Sequence, residues 1–83
     1  MSVDARGDDI PEIVRTAWEQ HLGSPSDSPV DNFFTRGGNS LMAAELMATL
    51  SAELGTRLRL AVILRNPTLG DLTRAVSEAV ARS

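Results

Sequence analysis

The 83-residue sequence predicts an all-α fold, a small four-helix bundle in which three long helices are joined by one short helix before the last. Three observations predict it. Apolar residues recur at helical spacing in three separate segments. The one stretch that alternates like a strand, Arg57-Leu58-Arg59-Leu60, has no second strand to pair with. The hydrophobic content of 42% includes only two Phe, one Trp and no Tyr, so the core must be aliphatic, which suits helix packing. A chain this short holds one modest core and leaves no room for a bulky catalytic cleft.

Residues 1–9 are polar and acidic and are expected to form a flexible N-terminal segment ahead of a single domain spanning 10–83. Asp9 is the candidate cap of the first helix, Pro11 suits its first turn, and Glu12 lies near the positive end of its dipole. Ile10, Ile13, Val14, Ala17, Trp18 and His21 or Leu22 then follow at helical spacing until Gly23 stops the run. At that spacing Trp18 reads as a core anchor and not as a ligand platform. Gly23-Ser24-Pro25-Ser26-Asp27-Ser28-Pro29 is a loop, because its two prolines exclude helix continuation. Two adjacent aromatics close it. Only one can face inward, and Phe34 is expected to plug the core while Asp31 or Asn32 caps a turn.

The second helix is predicted from about Ser40 to Leu54, stopped by Gly55. On a helical wheel Met42, Ala43, Leu46, Met47, Leu50 and Leu54 form one core stripe. Leu41 falls outside it, on a small or apolar face with Ala44, Ala48 and Ala52, where a solvated helix would carry more charge. Either a second layer of the bundle covers that face or a partner docks on it, and for Leu41 a partner is expected. Extended chain at 57–60 leads into a short helical turn at 61–65. Asn66-Pro67 breaks the turn, and Thr68 caps a last helix with apolar positions Leu69, Leu72, Val76, Ala79 and Val80.

Composition excludes several functions. The net charge is −3, and all eight basic residues are Arg scattered along the chain, so no basic stripe is expected for nucleic acid. There is no Cys, and one His with dispersed carboxylates offers no metal-ligand set. No apolar run approaches a membrane span and the N-terminus has no signal-peptide core, so a cytoplasmic protein is expected. Abundant Ala and Arg without Lys match a high-GC bacterial coding sequence.

The functional signal is Gly37-Gly38-Asn39-Ser40-Leu41, where a loop turns into a helix. The two glycines can take positive φ and leave the approach open, Asn39 or Ser40 can accept from the first free N–H groups, and the helix start favours an anion on the Ser40 hydroxyl. His21 is the one conventional base for Ser40, and its place at a helix end reads as structural. The segment is not a nucleophile elbow either: Met42 stands where the second glycine belongs, and no strand precedes it. An exposed serine without a base is a residue that another enzyme modifies, rather than the nucleophile of a small serine hydrolase.

The run from Asp31 to Leu46, DNFFTRGGNSLMAAEL, resembles the core motif of the peptidyl carrier, or thiolation, domains of nonribosomal peptide synthetases, within the acyl carrier superfamily. Leu64-Arg65-Asn66-Pro67-Thr68-Leu69-Gly70-Asp71-Leu72 is similar to the family's segment opening the last helix, and the resemblance covers about 10–80. It implies an acyl-carrier-like fold and a non-catalytic carrier. Ser40 would bear 4′-phosphopantetheine, donated by coenzyme A through a phosphopantetheinyl transferase and presented by Gly37, Gly38 and Asn39. The arm would hold an aminoacyl or peptidyl group as a thioester. It implies as further partners an adenylation enzyme or domain and downstream condensation, tailoring or thioesterase enzymes, contacted through Leu41, Met42, Ala44 and the loop before Ser40, Arg36 included. Polyketide and fatty-acid carriers commonly have Asp before the serine and further acids after it. Here Asn39, Leu41, Met42, Ala43 and Ala44 favour the peptidyl type. The alternatives are an acyl carrier for polyketide or fatty-acid cargo and an unmodified helical docking domain. The chain is expected to be a free-standing monomer.

Overall fold

The computed structural model describes the backbone of residues 6–26 and 28–82, and side chains over 9–26 and 28–82. The helices are α1 Arg6–Leu22, α2 Ser40–Leu54, α3 Leu60–Arg65 and α4 Leu69–Arg82. Helix α1 packs against both α2 and α4, and α3 joins α2 to α4. Among the described residues the β-type pairing is one isolated antiparallel bridge, between Asn32 and Thr68.

The N-terminal expectation needs correcting over 6–9, while residues 1–5 lie outside the described residues. Helix α1 starts at Arg6, so Asp9 lies within it and does not cap it. The acid at Asp9 favours early helix because it sits near the positive end of the dipole. Pro11, inside the helix, offers no N–H to the carbonyl one turn back, so the second turn of α1 lacks one helical hydrogen bond.

The core draws on every element: Ile10, Val14, Ala17 and Trp18 from α1; Ala43, Leu46, Met47, Leu50 and Leu54 from α2; Ile63 from α3; Leu69, Leu72 and Val76 from α4. Met42 sits half-buried at the edge of the α2 stripe, as do Ala79 and Val80 on α4. Between α2 and α3 the strand-like alternation is used without a sheet: Leu58 turns inward while Arg57 and Arg59 face out. Ser51 holds that segment, its Oγ accepting from the Leu58 N–H at 2.9 Å and donating to the Met47 carbonyl at 2.7 Å.

The expectation for the aromatic pair was inverted. Phe33 is fully buried and Phe34 only half-buried. The backbone decides it: the Phe33 N–H donates to the Pro67 carbonyl at 2.8 Å, which ties Phe33 to the segment entering α4 and turns its ring under the bundle. The ring meets Trp18 edge-on at 5.2 Å and Phe34 edge-on at 5.5 Å, so all three aromatics form one chain of T-shaped contacts.

The long α1–α2 loop is braced by polar groups that no sequence pattern announced. Ser26 is fully buried. Its Oγ donates to Asp31 Oδ2 at 2.6 Å, and its N–H donates to Glu19 Oε2 at 2.8 Å. Arg36 donates to the same Asp31 oxygen at 3.1 Å, to the Pro25 carbonyl at 2.7 Å and to Ser24 Oγ at 3.3 Å. The loop also caps α4: the N–H groups of Leu69 and Gly70 donate to the carbonyls of Asp31 and Pro29, at 2.9 and 2.8 Å. The Asp71 N–H reaches Thr68 Oγ1 at 3.3 Å, the capping role expected of Thr68.

Candidate functional site at the start of the second helix

The loop entering α2 is built from Asn32 onward. Asn32 Oδ1 accepts from the N–H groups of Phe34 and Thr35, at 2.8 and 3.2 Å, so Asn32 and not Asp31 caps the turn. The chain then folds back, with the Gly38 N–H donating to the Phe33 carbonyl at 2.9 Å. The two glycines have different reasons. Gly37 has φ 108°, and a Cβ there would meet nothing within 4 Å; the backbone angle alone demands glycine. Gly38 has ordinary φ, which corrects the expectation for it. A Cβ at Gly38 would lie 2.3 Å from Phe33 Cε2 and 2.8 Å from the Phe33 carbonyl, so Gly38 is the gap into which Phe33 packs.

Asn39 is the N-cap of α2, its extended backbone letting Oδ1 accept from the Met42 N–H at 2.9 Å. Its carbonyl accepts from the Ala43 N–H at 2.8 Å. The N–H groups of Ser40 and Leu41 are left without a partner among the described residues. The start of α2 is thus open, in contrast with α4, whose first two N–H groups are taken by loop carbonyls. Its first turn carries no acid, so nothing there repels an anion. Ser40 is the first helical residue, with an exposed side chain. A phosphodiester on its oxygen therefore fits: two free donors, an uncompensated dipole and open space on the Gly37 side.

His21 does not serve Ser40. Its Nε2 lies 3.1 Å from Thr49 Oγ1, and Thr49 is nine residues along α2 from Ser40, roughly 13 Å down the helix axis. No cluster of three or more metal-ligating side chains occurs among the described residues. Around the site, Leu41 is 69% exposed, Ala44 is exposed, and Met42 packs partly against the core. The Arg36 guanidinium is engaged by Asp31 and the Pro25 carbonyl, so its first role is to hold the loop. Replacing the cap by Asn39→Ala is expected to cost about 1 kcal/mol of stability, visible as a lower urea midpoint, with amide exchange quickened in the first turn of α2.

Residues 12–76 match the family described as phosphopantetheine attachment site. This chain belongs to the phosphopantetheine-attachment family. It is accordingly a non-catalytic carrier whose cofactor is 4′-phosphopantetheine, added by a phosphopantetheinyl transferase. Among curated relatives, it is 37% identical over 70 residues to phosphinothricin tripeptide synthetase PhsC of Streptomyces viridochromogenes, covering 84% of this chain and 6% of that protein. It is 39% identical over 69 residues to the indigoidine synthase of Streptomyces lavendulae, covering 83% of this chain and 5% of that one. The carrier thus spans a small fraction of the relatives' lengths. Its fold is similar to BlmI, a type-II acyl carrier protein from Streptomyces verticillus involved in bleomycin biosynthesis, with TM-score 0.79, 25% identity and 88% of each chain covered. It is also similar to a chain in the complex of the phosphopantetheine transferase Sfp with coenzyme A and a peptidyl carrier protein: TM-score 0.73, 30% identity, covering 89% and 91% of the two chains.

Proposed function

We propose that Ser40 is the residue esterified by 4′-phosphopantetheine and that the carrier tethers an aminoacyl or peptidyl group for nonribosomal peptide assembly in the cytoplasm, over a single domain that includes all of α1 from Arg6. The observation that carries the assignment to Ser40 is its exposed hydroxyl at the start of α2, where, among the described residues, the N–H groups of Ser40 and Leu41 are free. When bound, the arm supplies a terminal thiol that holds the cargo as a thioester. The chain's own residues do the rest. Gly37 keeps the approach clear, the Asn39 cap fixes the first turn, and the Ser40 and Leu41 N–H groups face the phosphate.

The peptidyl type is supported by the flanks of Ser40: Asn39 before it and Leu41, Met42, Ala43 and Ala44 after it place no carboxylate on the first turn of α2. The named synthetases among the relatives point the same way. Leu41 and Ala44, with the exposed edge of Met42, form the proposed docking face for the transferase, adenylation and downstream enzymes. Arg36 contributes by setting the loop beside that face. Apolar and neutral, the face suits partners that must bind and release in turn.

Incubating the full chain with coenzyme A and a broad-specificity phosphopantetheinyl transferase should add one pantetheine-phosphate mass. Ser40→Ala should abolish the gain while leaving helicity intact. A gain that survives Ser40→Ala overturns the site, and no gain in the native chain returns the molecule to an unmodified docking domain.

A further inference from the structure

The described arginines divide into two groups. Arg15, Arg36, Arg74 and Arg82 each pair with a carboxylate, at 3.8, 3.1, 3.7 and 3.9 Å. Arg57, Arg59 and Arg65 pair with none among the described residues, and all three line one groove of about 590 Å³ between α3 and α4. Scattered in sequence, these charges converge in space. Arg57 and Arg59 flank the inward-turned Leu58 and so point out together, and Arg65 ends α3. Leu58, Val62 and Ala79 give the groove an apolar floor. Its sole carboxylate, Glu78, is shared with Arg82. In a chain of net charge −3, the unpaired arginines among the described residues thus lie in one place.

We propose that this groove docks an acidic amphipathic helix of a partner protein, with carboxylates on the three arginines and apolar side chains on the Leu58–Val62–Ala79 floor. Charge complementarity selects the acidic partner, and the apolar floor selects a peptide. Nucleic acid is disfavoured because all three aromatics belong to the Phe33 cluster and none lines the groove to stack a base. The surface is separate from the attachment site. Arg57 and Arg59 follow the end of α2 opposite Ser40, roughly 21 Å along the axis, so a partner held there leaves Ser40 accessible.

The test is titration of the isotope-labelled full chain with a capped helical peptide of Glu-Glu-Leu-Ala repeats, followed by amide shifts. Shifts should concentrate over 57–65 and 75–82 and weaken with added salt. The Gln-Gln-Leu-Ala peptide should bind at least about tenfold more weakly, and the combined Arg57→Ala, Arg59→Ala, Arg65→Ala variant should lose about tenfold, since exposed pairs are individually small but act together. Charge reversal by Arg57→Glu with Arg59→Glu should shift preference to a Lys-Lys-Leu-Ala peptide, a gain that misfolding cannot mimic. Shifts mapping to Leu41 and Ala44 instead, equal binding of the Gln peptide, complete displacement by millimolar inorganic phosphate, or tighter binding of a single-stranded oligonucleotide would each overturn the proposal. Loading at Ser40 is measured alongside: its failure in the native chain counts against the carrier assignment and leaves the groove result intact.

Discussion

Phe33→Ala should lower the unfolding free energy by about 3–5 kcal/mol, the range for removing a buried aromatic. A domain of this length holds roughly 4–12 kcal/mol in all, so the variant is expected to sit near or past the edge of stability at 37 °C. The size follows from position. Phe33 is fully buried, touches both other aromatics, and forms the floor on which the Gly38 turn rests. Phe34→Ala should cost far less, because Phe34 is half-buried at the margin of the core. Urea melts of the two variants check the ranking, and equal losses would show that the inward and outward roles are wrongly assigned. Hydrogen exchange adds a local readout: in Phe33→Ala, amides over 36–42 should exchange faster than those of α4, since the loop presenting Ser40 loses its seat.

Gly38→Ala should cost about 1–3 kcal/mol, an overpacking penalty from a single methyl group. At 2.3 Å from Phe33 Cε2 and 2.4 Å from Cδ2, the new Cβ lies well inside contact distance. The ring has nowhere to retreat, because Trp18 and Phe34 meet its edges and faces. The Phe33 carbonyl, 2.8 Å away, is backbone and must drag the Gly38 N–H bond with it. Gly37→Ala is strained by φ instead, so a double-mutant cycle separates the two glycines. With Phe33→Leu, which removes the ring atoms, Gly38→Ala should recover part of its cost through a coupling of about 0.5–3 kcal/mol, whereas Gly37→Ala should show none. The same displacement should slow phosphopantetheine loading of Gly38→Ala, because the turn leading to the Asn39 cap and Ser40 is what moves.

Helix existence was readable because it is local. The apolar repeat of α2 placed it from about Ser40 to Leu54 with Gly55, at φ 64°, as stop, and left the cap between Asn39 and Ser40, which the structure settles as Asn39. The Thr68 cap of α4 was equally visible. The start of α1 was not, because acids spread over Asp8, Asp9 and Glu12 support any of several first turns. Of the site, the serine and its loop stood out by residue type, while the function of each neighbour did not. Gly38 reads in sequence as a positive-φ glycine that leaves the approach open, and is a packing gap in space. Arg36 reads as a surface charge and is tied to Asp31 and the Pro25 carbonyl. Buried Ser26 carried no signal, since serine in a Pro-rich loop is ordinarily solvated.

By itself, the sequence determined the all-α class, the four helices and the serine at the head of the second, all properties of periodicity, caps and residue chemistry within a few positions. Tertiary structure alone decided which phenylalanine enters the core, that the loop carbonyls of Pro29 and Asp31 close the start of α4 while the start of α2 stays open, and that three arginines share a groove. The physical reason is common to them. Each depends on hydrogen bonds or packing between segments distant along the chain, as when the Phe33 N–H meets the Pro67 carbonyl, and no local pattern encodes which distant group will arrive.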